Sequence, residues 1–222
     1  MTAPAKPLSG SKGRDVAESR LRRELDRGEL VPGQRLVEAE LGELYGVTRS
    51  SVRLALDALV ADGLVERILN RGARVRTVSP EAAVGILECR MVLDGLLARK
   101  AVENGEAQDL ANLDDNLEQM QQMVATGELL RYSELIQRHH TLIQHAARHP
   151  AAIELVGRLQ GQIVRHQFRL SLRPERAHES LGELGRVVAA VQARDADRAE
   201  ELARAHLQGV IAAIRREAGD AD

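Results

Sequence analysis

The sequence predicts a mainly α-helical protein, with an N-terminal winged helix-turn-helix followed by an all-α antiparallel bundle of six or seven helices. In the first 78 of the 222 residues, three amphipathic segments precede two short β-like segments. Beyond them, long amphipathic segments follow one another without an alternating strand pattern. Since only two Tyr and one Phe are present, aliphatic side chains must fill the cores, which suits helix-on-helix packing.

The domain boundaries follow from these patterns. We expect a disordered tail over residues 1–12, the winged helix-turn-helix over 13–78 and the helical domain over 79–222. In the helical domain, breaks at Gly, Pro and polar residues separate six predicted helices, at 81–103, 106–126, 128–148, 151–172, 176–193 and 195–218.

Turn residues divide the first domain. Its predicted helices cover 15–27, 37–45 and about 48–62, and its predicted strands cover 64–68 and 73–78 around a hairpin turn at 69–72. Gly46 ends the second helix, and Thr48 is a suitable N-cap for the third. On the second helix, we expect Leu41 and Leu44 to face inward.

The third predicted helix carries a polar face that suits DNA. Arg49 and Arg53 are four residues apart and project from the same face, beside Ser50. An arginine in that place can donate two hydrogen bonds to a guanine edge or bind a phosphate, when the helix lies in the major groove. Arg71 and Gly72 form a hairpin tip that can enter the minor groove. The alternative is an ordinary solvated helix face, which leaves the preceding helix, turn and N-cap unexplained.

The charge is divided unevenly between the domains. Residues 1–78 carry a net charge of +3 and the remainder −5, within a total of −2. This asymmetry is expected if only the first domain meets phosphates, although it is too small to predict DNA binding alone. No apolar run could span a membrane and no signal-peptide core is present, so we expect a cytoplasmic location. We expect the single cysteine, Cys89, to be buried and inert.

Several spaced motifs of the first domain resemble the GntR family of bacterial regulators. These motifs are LVPGQRLVEAEL (30–41), GVTRSSVR (46–53), ALDAL (55–59), DGLV (62–65) and RGARV (71–75). The resemblance covers nearly all of residues 14–78. It implies DNA contacts from the recognition helix and from the wing, at Thr48, Arg49, Ser50, Ser51, Arg53, Arg71 and Gly72. Leu54 stands where many relatives carry Glu.

The second domain resembles the FCD domain of the FadR-like subfamily, which forms an antiparallel bundle around an effector cavity. The matching residues are ECR (88–90), LD (93–94), RHH (138–140), AA (146–147), Pro150, SLGE (180–183), ARD (193–195) and AHL (205–207). Many FCD domains hold a divalent metal through one Asp and three His. The four matching positions here are Ile136, His140, Leu184 and His206. Because two of them are aliphatic, we expect no family-type metal site and no cofactor. The alternative role for the two histidines is that of a buried, hydrogen-bonded imidazole.

Without the metal, the resemblance implies an effector site of different chemistry. Ile136 and Leu184 would make it apolar, while Arg90 could pair an anion, beside His140 and His206. Arg169 is a weaker candidate for the same site. We therefore expect a hydrophobic, mono-anionic effector.

The resemblance implies a ligand-responsive transcription regulator that binds a palindromic double-stranded operator as a homodimer. Repression is the commoner mode in the family, with the effector releasing or re-orienting the protein. One alternative is a structural DNA-binding dimer without an effector. Another is a small helical, metal-dependent enzyme using the histidine-rich domain; no nucleophile–base spacing, phosphate loop or complete metal set supports it.

Overall fold

The computed structural model describes residues 7–26, 28–68 and 72–219, without the side chains of Asp26, Val164 and Arg165. The chain divides into two compact units, Met1–Val78 and Ser79–Asp222. Within the described ranges, nine α-helices and three short β-strands are present. The predicted mainly α-helical fold class is confirmed.

The first unit contains three helices and a small antiparallel sheet. Its elements are α1 (Gly10–Asp26), β1 (Arg35–Leu36), α2 (Glu38–Tyr45), α3 (Arg49–Ala61), β2 (Val65–Ile68) and β3 (Gly72–Val75). The strand order is β1-β3-β2, with Leu36 opposite Ala73 and Val65 opposite Val75. The two-residue strand β1 was not predicted, because so short a segment has no periodicity of its own.

One aliphatic core holds the first unit together. Val52, Leu56 and Leu59 of α3 are completely buried, and they pack with Leu21 of α1 and Leu36 of β1. Gly46 has φ +66°, a left-handed conformation that favours glycine, and this allows the sharp turn between α2 and α3. Burial of the apolar side of α3 leaves its polar side facing outward.

Two expectations for this unit are wrong. Residues 7–12 do not belong to a disordered tail, because helix α1 begins at Gly10 and Leu8 pairs with the backbone of the α2–α3 turn. The N–H of Leu8 donates to the carbonyl of Gly46, and the N–H of Thr48 donates to the carbonyl of Leu8. Residues 1–6 lie outside the described residues. Leu44 is exposed, because the spacing of Leu41 and Tyr45 already fixes the inward side of the short helix α2.

The second unit is a bundle of six helices in the described part of the chain. They are α4 (Pro80–Asn104), α5 (Ala107–Thr126), α6 (Leu129–Ala147), α7 (Pro150–Ser171), α8 (Pro174–Gln192) and α9 (Ala196–Gly219). Proline is the first residue of three of them, where its missing N–H costs no intrahelical hydrogen bond. Cys89 of α4 is exposed and not buried as expected, because its neighbour Arg90 occupies the inward side of that turn.

Two aliphatic clusters lie among the described residues of the bundle. The larger one includes Leu97 and Ala101 of α4 with Leu113 of α5. The smaller one contains Met120 and Tyr132 with Leu184 of α8. None of the helices in the described ranges is long and apolar enough to cross a membrane.

Candidate nucleic-acid interface and effector site

The exposed face of α3 brings together three of the seven residues predicted to contact DNA. Arg49, Ser50 and Arg53 are all exposed on it, while Val52 and Leu56 are buried on the opposite side. Leu54 is 51% exposed on the same face as Ser50. The face therefore presents two guanidinium groups, a hydroxyl and an aliphatic side chain on one helix.

The N-terminus of α3 is capped as predicted by Thr48. Its Oγ1 accepts a hydrogen bond from the backbone N–H of Ser51 at 3.3 Å, and it lies 2.9 Å from the Ser51 hydroxyl. A further hydrogen bond of 3.0 Å joins it to the hydroxyl of Ser50. Ser51 is only 1% exposed, so the structure does not support the prediction that its side chain contacts DNA. Ser51 lies one helical turn before the completely buried Ala55, on the side of α3 that packs against Gly13 of α1.

Sequence reasoning missed the ion-pair network that surrounds Arg53. Glu38, the first residue of α2, accepts hydrogen bonds from Nε and Nη2 of Arg53 and from Nη1 of Arg67 on β2. Arg67 also donates to the carboxylate of Asp57 on α3. Hydrogen bonding from Arg53, and also from Arg67, lowers the pKa of Glu38. Glu38 and Arg53 are 15 residues apart and belong to different helices, so no local pattern could have revealed the pair.

The wing is partly described. Gly72 lies at the start of β3 opposite Ile68, with φ +88°, a conformation that favours glycine. It is exposed, as a contact from the wing requires. The predicted contact at Arg71 falls in residues 69–71, which lie outside the described residues.

In the second unit, Arg90 of α4 is the most unusual side chain. It is 0% exposed, and Nη2 donates to Oδ2 of Asp94 at 2.8 Å. Its Nε and Nη1 are buried and have no hydrogen-bond partner among the described residues. Burial raises the pKa of Asp94, although Arg90 acts in the opposite direction. A buried guanidinium with two unused nitrogens is costly unless an anion completes its hydrogen bonds.

Two predicted histidines lie close to one another near this arginine. The ring centroids of His140 and His206 are 6.3 Å apart. Burial, together with the positive charge of Arg90, lowers the pKa of His140 well below its usual range. The fold therefore brings Arg90, His140 and His206, from three different helices, close to one another.

His206 is also held by residues that were not predicted. Its Nδ1 donates to Oε2 of Glu183 at 2.7 Å, and Nη2 of Arg176 donates to the same oxygen at 2.8 Å. Burial acts to raise the pKa of Glu183, but the hydrogen bonds from His206 and Arg176 outweigh it and lower that pKa. His206 is thus a buried, hydrogen-bonded imidazole.

The residues at the family's metal positions do not fit a metal centre. Ile136 and Leu184 have no lone pair to donate, and both belong to the smaller aliphatic cluster. Within the described residues, no group of three or more His, Cys, Asp or Glu side chains could hold a metal ion. Arg169 lies on the exposed face of α7, so the structure does not support its predicted place in the effector site.

Comparison with known proteins gives the same two-part organisation. The family model "Bacterial regulatory proteins, gntR family" matches residues 14–75, and the model "FCD domain" matches residues 85–209. In Escherichia coli strain K12, the HTH-type transcriptional regulator McbR is 27% identical over 180 residues, which cover 80% of this chain and 81% of McbR. The HTH-type transcriptional repressor GlaR of the same strain is 28% identical over 205 residues, covering 88% of this chain and 93% of GlaR.

A solved structure shares the whole architecture. The structure of E. coli McbR/YncC is similar with a TM-score of 0.79 and 25% sequence identity, over 92% of this chain and 97% of that one. The likeness therefore extends through both units and is not confined to the helix-turn-helix.

Proposed function

Because the chain belongs to the GntR family of bacterial regulators and carries their FCD domain, we propose that it binds a palindromic operator as a homodimer through α3. We also propose that it binds an anionic effector in the FCD domain and that this binding changes its affinity for the operator. The chain is a ligand-responsive, DNA-binding transcription regulator and not an enzyme. Repression is the mode that we propose, since one of its relatives, GlaR, is named a repressor.

The shared exposed face of Arg49, Ser50 and Arg53 carries the proposal for DNA. Two guanidinium groups one helical turn apart match the spacing of acceptors along a major groove, and the capped N-terminus of α3 adds the positive end of the helix dipole. The aliphatic residues behind this face fix α3 against the rest of the unit. In a dimer, two such helices read two half-sites, and the half-sites of a palindrome are related by the same two-fold axis.

The DNA contacts can be tested with an operator selected from a random-sequence duplex pool by the full chain. We expect Arg49→Ala and Arg53→Ala each to weaken binding by about 1–3 kcal/mol. Arg198→Ala is the control, because it removes the same charge from the surface of the second unit. Full-strength binding by both α3 variants would contradict the proposed contacts.

For the effector, the buried Arg90 supplies the proposed anchor. A carboxylate can accept a hydrogen bond from its unused Nη1, and this would satisfy a donor that is buried without a partner among the described residues. Ile136 and Leu184 favour an aliphatic body on the ligand. We therefore propose a monocarboxylate with a hydrophobic tail.

Such an effector acts only through different affinities for the DNA-bound and DNA-free states of the protein. We expect octanoate to shift both the melting temperature and the operator affinity of the full chain more than acetate does. Arg90→Met should abolish these shifts, while Arg131→Met, at an exposed position of α6, should leave them unchanged. If no carboxylate shifted either quantity, a structural DNA-binding dimer would be the better description.

A further inference from the structure

We propose that Glu38 is a specificity-determining positioning residue, which holds one edge of Arg53 so that the opposite edge of the guanidinium faces a guanine of the operator. This inference rests on the proposed DNA contact of Arg53. It deepens that contact, because it names the base that is read and the residue that orients the side chain reading it.

The pair between Glu38 and Arg53 is bidentate. Nε of Arg53 lies 3.1 Å from both carboxylate oxygens of Glu38, and Nη2 lies 2.8 Å from Oε2. The Glu38 side chain is 19% exposed, whereas that of Arg53 is 65% exposed. The carboxylate is therefore the fixed partner on the protein surface, and the guanidinium projects outward from it.

The edge of Arg53 that Glu38 leaves unused is suited to a base. Within the part of the chain that the structure describes, Nη1 of Arg53 donates to no acceptor, and the outer N–H of Nη2 points away from the carboxylate. These N–H groups are parallel donors in one plane. Guanine offers two neighbouring acceptors, O6 and N7, in the major groove, and arginine binds them in a bidentate manner.

Arg67 in turn holds Glu38 in place. Its Nη1 donates to Oε1 of Glu38 at 3.3 Å, its Nη2 to Oδ1 of Asp57 at 2.6 Å, and its Nε to the same Asp57 oxygen at 3.2 Å. Nη2 also donates to the backbone carbonyl of Arg53 at 3.2 Å. Every nitrogen of the Arg67 guanidinium thus serves the protein, so Arg67 joins β2, α2 and α3 around the Glu38–Arg53 pair.

Glu38 is negatively charged, and this supports a role in the choice of DNA sequence and not in the overall affinity for DNA. A carboxylate near the groove repels phosphates, which disfavours binding to any sequence. The carboxylate of Glu38 also restrains Arg53 from turning towards a neighbouring phosphate. A contact with a phosphate carries no sequence information. Selectivity for one base is gained when wrong contacts are disfavoured as well as right ones favoured.

The test is to determine base preferences of the full-length chain by selection from a random duplex pool, for the wild type and for Glu38→Gln. The Arg53→Ala variant identifies the half-site position that Arg53 reads, because it loses the guanine preference there. At that position we expect Glu38→Gln to reduce the guanine preference about tenfold. Its affinity for a scrambled duplex should be unchanged or higher. Glu43→Gln is the matched control, because it removes the same charge from an exposed position of α2.

Two further variants separate positioning from a general structural effect. Glu38→Gln added to Arg53→Ala should cause no further loss of guanine preference, since coupled residues are not additive. Arg67→Gln removes a hydrogen bond to Glu38 and one to the backbone of Arg53, but none to the Arg53 side chain. It should reduce the preference at the same position. Melting temperatures of all variants show whether the first unit is folded.

The outcomes distinguish this inference from the proposed function. An unchanged guanine preference in folded Glu38→Gln overturns the role of Glu38. A uniform loss of affinity for all sequences in Arg53→Ala identifies a phosphate contact, which overturns the guanine contact while DNA binding through α3 stands. Only unimpaired binding by both Arg49→Ala and Arg53→Ala overturns the proposed DNA contacts themselves.

Discussion

His139 and His140 are consecutive on α6, and their rings meet edge to face, with centroids 5.9 Å apart and planes at 77°. His139 is completely enclosed, and its Nδ1 has no hydrogen-bond partner among the described residues. Burial, with a smaller contribution from His206, lowers the pKa of His139 to about 3. The two neighbouring imidazoles are therefore held neutral in the folded protein, beside the proposed effector anchor Arg90.

This burial predicts acid lability. In the unfolded chain His139 titrates near 6.5, so between about pH 6.5 and 3 the unfolded state binds a proton that the folded state does not. Above about pH 6.5 His139 is neutral in both states and does not lower the free energy of unfolding. As the pH falls below 6.5, protonation of the unfolded chain lowers the free energy of unfolding. We expect His139→Leu to lessen the decline in stability by up to about 1.4 kcal/mol per pH unit in that range.

The measurement is urea unfolding of the full chain at a series of pH values. His178→Leu is the control, because His178 lies at an exposed position of α8 and should leave the pH dependence of the wild type unchanged. An identical slope for His139→Leu and wild type would show that His139 becomes protonated without unfolding.

A second prediction concerns the packing of α1 against the first turn of α3. A Cβ at Gly13 would lie 2.6 Å from the carbonyl oxygen of Leu8 and 2.6 Å from Oγ of Ser51. Because a backbone atom is involved, Gly13→Ala should destabilise the first unit by about 1–3 kcal/mol. It should also weaken operator binding, since Leu8 and Ser51 both contact the capped start of α3.

Gly157→Ala provides the matched control for this substitution. Gly157 lies on α7, and no atom lies within 4 Å of its added Cβ. Alanine is the better helix former, so this variant should gain about 0.5–1 kcal/mol. Denaturation of both variants gives the comparison, and a Gly13→Ala protein as stable as Gly157→Ala would show that the close approach at Gly13 relaxes easily.

The sequence was informative where periodicity and turn residues act locally. The six helices of the second unit and the Thr48 cap are local features, and each was predicted close to its observed position. The order of residues 7–12 was missed because it depends on backbone hydrogen bonds to the distant turn at Gly46. The candidate sites show the same division. Arg49 and Arg53 follow from one helix, whereas Glu38, Arg67 and Glu183 enter through contacts between elements far apart in the chain.

The last prediction concerns the metal positions. His206 already has the environment of a metal ligand, since its Nδ1 donates to the Glu183 carboxylate and Nε2 remains as the coordinating nitrogen. What the four positions lack is a donor at Ile136 and at Leu184. We therefore expect Ile136→Asp combined with Leu184→His to create a zinc site, because it supplies four N/O ligands around one ion. Zinc should raise the melting temperature of this double variant, as any ligand specific to the folded state does.

The control is Ile136→Asp combined with Leu181→His, which adds the same ligand types to the same aliphatic cluster one helical turn away. Calorimetric titration should find stoichiometric zinc binding in the first double variant and at least about tenfold weaker binding in the control, because losing one ligand or its geometry costs that much. Equal binding by both would mean that surface histidines hold the ion. Equally tight binding by the wild type would mean that Ile136 and Leu184 do not prevent a metal site, and the proposed metal-free anchor at Arg90 would have to be abandoned.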